Sequence, residues 1–408
     1  MVAELWQRYP IYPPFAVGCP TFAISESSMR VLLFICYLFV FDSLLRFVLL
    51  CLRAVMPARK LLAGNNFVGG CVVLVAAHDE AGTIGPTIVE LKKHLPEWPD
   101  SNLWVIADRC LDATAKEASI AGSEVALRSD GQLGKGAAIA WWMEHYRQVW
   151  QTKTAIVILD ADSRIAAGSL AKLQQAMFSG ADAAQMFVEP YAATTSGRLA
   201  GWSEVLMQRI DDEARRRCSW SVPLRGTGMA FRCELLAELA PRLHTYAEDL
   251  ELDVILASRQ ARIEFVPEAR MFDPKPQQSA GISRQRARWL QGQLQVLKDY
   301  QPEFAKALLA GGAGAWFLLW LLMLRPKILF IGLRVLLLIT GWFYSPLLWV
   351  ALWGLAMDAA YYLAGAAIVD NPRQYLLDLL SVPRYAMTWV FSFGTALIRR
   401  RVWLRAGR

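Results

Sequence analysis

The sequence AIVILDAD, residues 155–162, decides the fold class, because a continuous apolar run ends in two carboxylates one residue apart. Such a run is typical of a strand buried on both faces of a parallel sheet. Similar short runs occupy residues 71–76, 103–107 and 124–127, and stretches with helical spacing of apolar residues separate them. The alternation predicts an α/β domain with a mainly parallel sheet and helices on both faces. The predicted helices are residues 83–95, 112–121 and 135–149, and a further, very polar helix is predicted around residues 208–217.

Acidic residues lie at or just after the ends of three of these apolar runs: Asp79, Asp108 and Asp160. Ligands of open α/β sheets bind beyond the carboxyl ends of the strands. We therefore expect the three carboxylates to converge on one edge of the sheet, although they are far apart in sequence.

Asp160 and Asp162 are candidate ligands of a divalent cation. Two carboxylates at a strand end can share Mg²⁺ or Mn²⁺, which then bridges the oxygens of a diphosphate. An aspartate at a strand end is also a common turn former or helix cap. The pair alone does not decide between these interpretations.

The sequence Gly134-Lys135-Gly136 is not a phosphate-binding P-loop. That loop needs four residues between its glycines and a Ser or Thr after the lysine, whereas two residues separate Gly131 from Gly134 and Gly136 follows Lys135. An ATPase is excluded on this ground. A flexible turn that starts a helix is the simplest interpretation.

Glu248 and Asp249 stand together beside apolar residues. They suit the first turn of a helix, where negative charge is stabilised by the helix dipole. A carboxylate in a partly desolvated site can also act as a general base. Both interpretations remain open from the sequence.

The sequence QRARW, residues 285–289, places Gln285, Arg288 and Trp289 on one face if it is helical. An amide, a guanidinium and an indole on one face suit a diphosphate and a sugar ring. A cationic surface helix near a membrane is the alternative.

The chain carries long apolar segments on both sides of the α/β region. Residues 29–56 are long enough to cross a membrane, with an interfacial helix as the alternative, and residues 328–344 and 347–369 are two further candidate spans. Asp42 and Arg46 are expected to pair or to face another helix. Residues 315–324 are too short to span and predict an interfacial helix, while residues 375–403 predict an amphipathic helix on the membrane surface.

The net charge of +7 is concentrated beside the apolar segments, in particular after residue 52 and at the C-terminus. Positive residues beside spans favour the cytoplasmic face, which predicts a multi-pass protein of the inner (plasma) membrane with a cytoplasmic catalytic domain. No basic stripe stands out in the soluble part, so no nucleic-acid partner is expected.

These motifs, in this order, resemble the family 2 glycosyltransferases of GT-A fold, specifically the membrane-embedded group related to cellulose, chitin and hyaluronan synthases. The resemblance covers roughly residues 68–299. The residues that carry it are 75–80, Asp108 with Asp112 and Thr114, 134–136, 160–162, 225–228, 248–249 and 285–289.

The resemblance implies a role for each matched position. Nucleotide-sugar binding is implied for Ala77, Asp79, Glu80, Asp108 (at the base), Lys135, Asp160, Asp162 and Arg288. Metal binding is implied for Asp162 with Asp160, general-base catalysis for Asp249 with Glu248 beside it, and acceptor or diphosphate binding for Gln285, Arg286 and Trp289. Residues 76–80 depart from the family pattern, which usually has a proline and an Asn-Glu pair there, and this puts the details of base recognition in doubt.

The implied reaction is transfer of a sugar from a nucleotide sugar, expected to be a UDP-sugar, to a growing polysaccharide or oligosaccharide with formation of a β-linkage. Mg²⁺ or Mn²⁺ is the expected cofactor, and other subunits for polysaccharide synthesis or export are expected as partners. Single transfer to a membrane lipid is the alternative within the enzyme class. A catalytically inactive donor-binding subunit is the alternative from another class.

The sequence thus predicts six segments along the chain. They are an N-terminal segment (1–28), a transmembrane helix (29–56), a GT-A domain (68–300), an interfacial helix (310–327), two transmembrane helices (328–369) and an amphipathic basic C-terminal segment (375–408).

Overall fold

A computed structural model of the chain describes residues 26–59, 69–275, 279–310, 312–323, 327–342 and 345–389. Within them, eight strands form one sheet in the order β3-β2-β1-β4-β7-β6-β8-β5. The strands are β1 (Cys71–Ala77), β2 (Asn102–Asp108), β3 (Glu124–Arg128), β4 (Ala155–Asp160), β5 (Arg164–Ile165), β6 (Ala183–Tyr191), β7 (Met229–Arg232) and β8 (Ile263–Pro274).

Helices cover both faces of the sheet and continue beyond it toward the C-terminus. Those up to β8 are α1 (Glu26–Val55), α2 (Ile84–Lys92), α3 (Thr114–Ile120), α4 (Lys135–His145), α5 (Arg147–Trp150), α6 (Ser169–Phe178), α7 (Thr195–Leu206), α8 (Glu213–Arg217), α9 (Cys233–Leu239) and α10 (Glu248–Ser258). A π-helical turn, Met207–Asp212, joins α7 to α8. After β8 come α11 (Ser279–Asp299), α12 (Gln301–Ala310), α13 (Gly312–Met323), α14 (Lys327–Thr340), α15 (Ser345–Ala366) and α16 (Pro372–Leu379).

The first half of the sheet has the predicted parallel arrangement. β1 pairs in parallel with β2 and with β4, and β2 pairs in parallel with β3. The second half is mixed, because β7 runs antiparallel to both β4 and β6, and β5 runs antiparallel to β8. The domain is therefore an α/β domain with a mixed sheet.

The alternation of side chains along β1 explains the two layers of helices. Val72 and Leu74 belong to a core on one face of the sheet, together with residues of α4 and α10. Val73 and Val75 belong to a separate core on the other face, with residues of α2 and α6. Successive side chains of a strand point to opposite faces, so a continuous apolar run is what a strand covered on both faces requires.

Two predicted helices differ from those observed. The predicted helix 135–149 is divided at Tyr146, whose backbone (φ −116°, ψ 34°) leaves the helical region between α4 and α5. The polar segment around residues 208–217 is a π-helical turn followed by α8 rather than one regular helix, and Gln208, Asp212 and Arg215 within it are buried.

The apolar segments form helices that pack against one another. Among the described residues, one helix, α15, is long and apolar enough to cross a membrane, and a shorter apolar stretch, Phe330–Ile339, lies in α14. α13 spans Gly312–Met323 and so lies within residues 310–327, the segment predicted to be an interfacial helix. Of the predicted C-terminal amphipathic segment, residues 372–379 and 382–389 are helical, and residues 390–408 lie outside the described part.

Buried ion pairs join α1, α14 and α15. Asp42 and Arg46 pair at 2.9 Å, as the sequence predicted. Arg334 of α14 contacts Asp42 and donates to Asp358 Oδ2 of α15 (2.6 Å). Asp358 also accepts a hydrogen bond from Ser43 (3.0 Å). Charges that are costly in an apolar environment are thus paired between helices.

Replacing Arg334 with leucine should lower the free energy of unfolding by about 3–5 kcal/mol, because the buried Asp358 loses its arginine and Asp42 keeps only Arg46. The matched control is Arg373→Leu, since Arg373 is exposed. Thermal unfolding of both variants in one detergent measures the difference. Equal unfolding temperatures for Arg334→Leu and the wild type would contradict this assignment.

Candidate active site

The carboxyl ends of β1, β2 and β4 form the edge that the sequence predicted, and Asp160 is at its centre. Asp160 is the last residue of β4, and its side chain is 42% exposed. Its carboxylate contacts Lys135 Nζ, which also donates to the carbonyl of Gly226 (2.5 Å). The backbone N–H of Asp160 donates to Thr227 Oγ1 (3.1 Å). Lys135 therefore ties the end of β4 to the loop before β7.

Glycines on both sides of Lys135 make this contact possible. Gly134 has φ 125°, in the region that favours glycine. A Cβ on Gly136 would lie 2.9 Å from Leu243 Cβ and 3.0 Å from Glu248 Cβ. The start of α4 thus lies so close to the start of α10 that position 136 has no room for a residue other than glycine.

Glu248 and Asp249, in the first turn of α10, lie on the same side of the site. A Cβ built on Gly226 would lie 3.7 Å from Glu248 Oε1 and 3.8 Å from Asp249 Oδ2. Because Lys135 donates to the Gly226 carbonyl, both carboxylates lie near the contact of Lys135 with Asp160. Charge on Lys135 acts on Glu248 and Asp249 as well as on Asp160. Residues from four separate parts of the chain thus form one charged cluster.

Burial, the largest cause, raises the pKa of Glu248 against the opposing charge of Lys135, and together with the charge of Asp249 the net result is a pKa of about 7. Desolvation favours the neutral form of a carboxyl group. Glu248 therefore exchanges its proton in the neutral pH range, where a transfer reaction operates.

The Glu248→Gln variant should gain stability relative to the wild type as the pH rises from about 5 to about 8. The folded pKa of Glu248 is raised, so its contribution to stability is complete below the unfolded pKa and is lost as the pH rises through about 7. A neutral glutamine avoids that loss. Unfolding temperatures across this pH range measure the effect, with the exposed Glu144→Gln as the control. A difference from the wild type that is constant with pH would contradict the shifted pKa.

Helix α11, which carries QRARW, packs directly against the start of α10. A Cβ on Gly292 would lie 2.7 Å from the Cβ of Ala247, the residue before Glu248. Arg288 is one helical turn before Gly292 and shares its face. The indole of Trp289 is 48% exposed. The side chain of Gln285 lies outside the described part of the structure.

Arg286 occupies a different environment, between α11 and the C-terminal helix 382–389. It is 2% exposed, and its guanidinium carbon lies 4.4 Å from the ring centroid of Tyr385 and 4.2 Å from that of Trp389. Arg286 Nη1 donates to Thr388 Oγ1 (2.6 Å). These contacts fix α11 to the C-terminal segment, and a role of Arg286 toward acceptor or diphosphate stays a prediction.

Asp108, predicted to contact the base, is buried and bound by two arginines. Arg128 donates to Asp108 Oδ1 (2.7 Å) and Arg109 donates to both carboxylate oxygens (3.0 and 2.6 Å). Arg128 also donates to the carbonyl of Gln132 (2.7 Å). In this structure Asp108 thus helps to hold the loop that leads to Lys135.

The loop after Ala77, the last residue of β1, is joined to the start of α3. Asp79, with φ 54°, accepts from the backbone N–H of Leu111 (2.7 Å). The backbone N–H of Glu80 donates to Thr114 Oγ1 (2.7 Å). These residues line the part of the edge that is formed by the carboxyl ends of β1 and β2, where nucleotide binding was predicted.

Sequence reasoning missed two groups near this edge. Asp79, Cys110 and Asp112 place potential metal-ligating atoms within 4.8 Å of one another, although burial raises the pKa of the Cys110 thiol and so disfavours the thiolate. At the end of β8, Lys275 contacts Asp273 (2.5 Å) and Glu204 (2.6 Å). Burial raises the pKa of Asp273 to about 6, and the charge of Asp160 adds to the shift. No spacing in the sequence indicated either group.

Comparison with known proteins agrees with this geometry. The model of glycosyl transferase family group 2 matches residues 155–363, just over half of the chain. No curated protein matches the chain.

Two solved structures illustrate the likeness. The mannosyltransferase PcManGT from Pyrobaculum calidifontis, in complex with GDP-Man and Mn²⁺, is 18% identical, with a TM-score of 0.55 over 90% of this chain and 96% of that chain. The glucosyl-3-phosphoglycerate synthase from Mycobacterium tuberculosis, in complex with Mg²⁺ and UDP, is 18% identical, with a TM-score of 0.35 over 54% of this chain and 72% of that chain. The first likeness supports a GT-A fold for the α/β domain.

Proposed function

Because the chain belongs to glycosyl transferase family group 2, we propose that it is an inverting transferase that moves a sugar from a nucleotide sugar to a saccharide acceptor. The observation that carries the proposal is the position of Lys135, bound to Asp160 and to Gly226 beside Glu248 and Asp249. This arrangement supports the proposal, because the end of β4, where we propose that the donor binds, lies beside two carboxylates that could accept a proton.

Asp160 and Asp162 would hold Mg²⁺ or Mn²⁺, and the donor set fits such an ion. Carboxylate oxygens are the ligands that these cations prefer. The carboxylate of Asp160 is 42% exposed at the carboxyl end of β4, so it is accessible to an ion. The ion would compensate the charge of the nucleoside diphosphate. Lys135 and Arg288 would supply further positive charge at the same edge.

Asp249 would take the proton of the attacking acceptor hydroxyl. A base on the side opposite the leaving group gives a single in-line displacement with inversion, so an α-linked donor, expected to be a UDP-sugar, yields a β-glycoside. The neighbouring Glu248, with its raised pKa, would be partly neutral near pH 7.

Helix α11 would position the acceptor. Trp289 is half exposed and presents an apolar face on which the C–H groups of a sugar ring can stack. Arg288, the preceding residue, would hold the leaving diphosphate. The contact of Gly292 with Ala247 supports this role, since it fixes the distance between α11 and the proposed base.

We further place the enzyme in the inner (plasma) membrane with the catalytic domain on the cytoplasmic side, where nucleotide sugars are made. The length of α15 and the buried ion pairs that join it to α1 and α14 support this location. Arg53 and Arg59, at the domain end of α1, favour the same orientation.

The function is tested with a panel of labelled nucleotide sugars added to native membranes that contain the chain. Products are separated by size and by extraction into organic solvent. A labelled saccharide supports the proposal, whereas a labelled lipid would support single transfer to a lipid acceptor. Nucleotide binding without transfer of any sugar in the panel would support an inactive donor-binding subunit.

A further inference from the structure

A basic pocket of about 350 Å³ lies away from the active site, where α1 meets the catalytic domain. We define it by its four arginines: Arg53, Arg209, Arg216 and Arg217. Glu213 and Glu268 also line it, so the guanidinium groups exceed the carboxylates by two. A pocket of this size with an excess of positive charge is suited to a small anionic group.

Backbone contacts hold the arginines of the basic pocket together. Arg53 Nε donates to the carbonyl of Arg209 (2.6 Å), and Arg217 Nη1 donates to the carbonyl of Arg53 (2.6 Å). Asp370, Glu268 and Glu213 pair with Arg209, Arg216 and Arg217 and offset part of the Coulombic cost of these like charges, and a bound anion would offset the rest. Arg53 donates from Nε, so its Nη groups have capacity for a ligand.

The pocket is at the level where two apolar helices reach the catalytic domain. Arg53 is in the last turn of α1, which ends at Val55. Arg209 Nη1 donates to the carbonyl of Ile368 (2.6 Å), two residues after the end of α15. If α1 and α15 cross the membrane, as the proposed function states, the pocket faces the phospholipid headgroups.

The pocket is separate from the carboxylate cluster. Its lining contains none of Lys135, Asp160, Glu248 and Asp249. Along β8 it is lined by Phe265, Pro267 and Glu268, whereas Asp273 is at the active-site end of that strand.

We propose that the basic pocket binds the phosphate of an anionic phospholipid of the surrounding membrane. The excess positive charge, the volume and the position beside the ends of two apolar helices together identify this ligand class. The inference rests on the proposed membrane location but not on the identity of the sugar or the acceptor.

The test uses the purified full chain in phosphatidylcholine vesicles with or without phosphatidylglycerol, and measures retained phosphatidylglycerol by native mass spectrometry. Arg53→Gln and Arg216→Gln should each weaken phosphatidylglycerol binding about fivefold. Glu268→Gln, in the same pocket, should leave binding equal or tighter, and the exposed Arg147→Gln should leave it unchanged. Uniform binding by all variants, or an equal loss in Arg147→Gln, would overturn the proposal.

Two further measurements separate this inference from its premises. Inorganic phosphate that displaces phosphatidylglycerol would show a site for free phosphate and would overturn the lipid assignment. Sugar transfer in phosphatidylcholine vesicles should survive in Arg53→Gln, because the pocket is outside the active site. A chain that associates with neither kind of vesicle would contradict the membrane location, and the lipid proposal would fall with it, whether or not sugar is transferred.

Discussion

Asp249→Asn is expected to lower the rate of sugar transfer by about 10²- to 10⁴-fold, the usual cost of removing a positioned general base. Asparagine keeps the shape of the side chain, so nucleotide binding, measured by calorimetry, should remain within a few-fold of the wild type. Asp249 lies beside Gly226, whose carbonyl accepts from Lys135, and this supports the proposed role of Asp249 next to the strand end where we propose that the donor binds.

The control for this substitution is Asp100→Asn, an exposed aspartate just before β2, at the opposite edge of the sheet. It should transfer sugar at the wild-type rate. If Asp249→Asn also turned over normally, the base would lie elsewhere, and Glu248 would be the first candidate because its pKa lies in the neutral range.

Removal of divalent metal should have an effect of similar size. Chelation with EDTA, or the Asp162→Ala substitution, should lower transfer by about 10²- to 10³-fold, since the charge compensation of a metal ion contributes several kcal/mol. Added Mn²⁺ should restore the chelated wild type but not Asp162→Ala, which should also bind the donor more weakly. Full activity in EDTA would refute the role of Asp160 and Asp162 as metal ligands.

The half of the fold that could be predicted is the half with continuous apolar runs. Residues 71–76, 103–107 and 155–159 lie within observed strands, because burial on both faces requires apolar residues at nearly every position. Residues 124–127 lie within β3, an edge strand in which Glu124 and Leu127 are exposed. The second, mixed half of the sheet gave no such pattern of continuous apolar runs. β7 has only four residues, and the active-site ends of β6 and β8 carry prolines and charged residues, so local pattern could not identify them.

The candidate site was predictable where chemistry is local in sequence. Asp160, Glu248 and Asp249 were recognised from short motifs, and the structure brings them together through Lys135. The contact of Lys275 with Glu204 was not predictable, because only the crossing of β8 and α7 brings these residues together. For Arg286, the local motif suggested ligand binding. In the structure its side chain contacts Tyr385 and Trp389, which are about a hundred residues away in sequence.

The most direct test of the account is the anomeric configuration of the product. The wild-type enzyme is supplied with an α-linked nucleotide sugar that it accepts, and the new glycosidic bond is examined by proton NMR. Displacement assisted by Asp249 from the side opposite the leaving group predicts a β-linked product. An α-linked product would mean retention of configuration and would contradict the proposed role of Asp249.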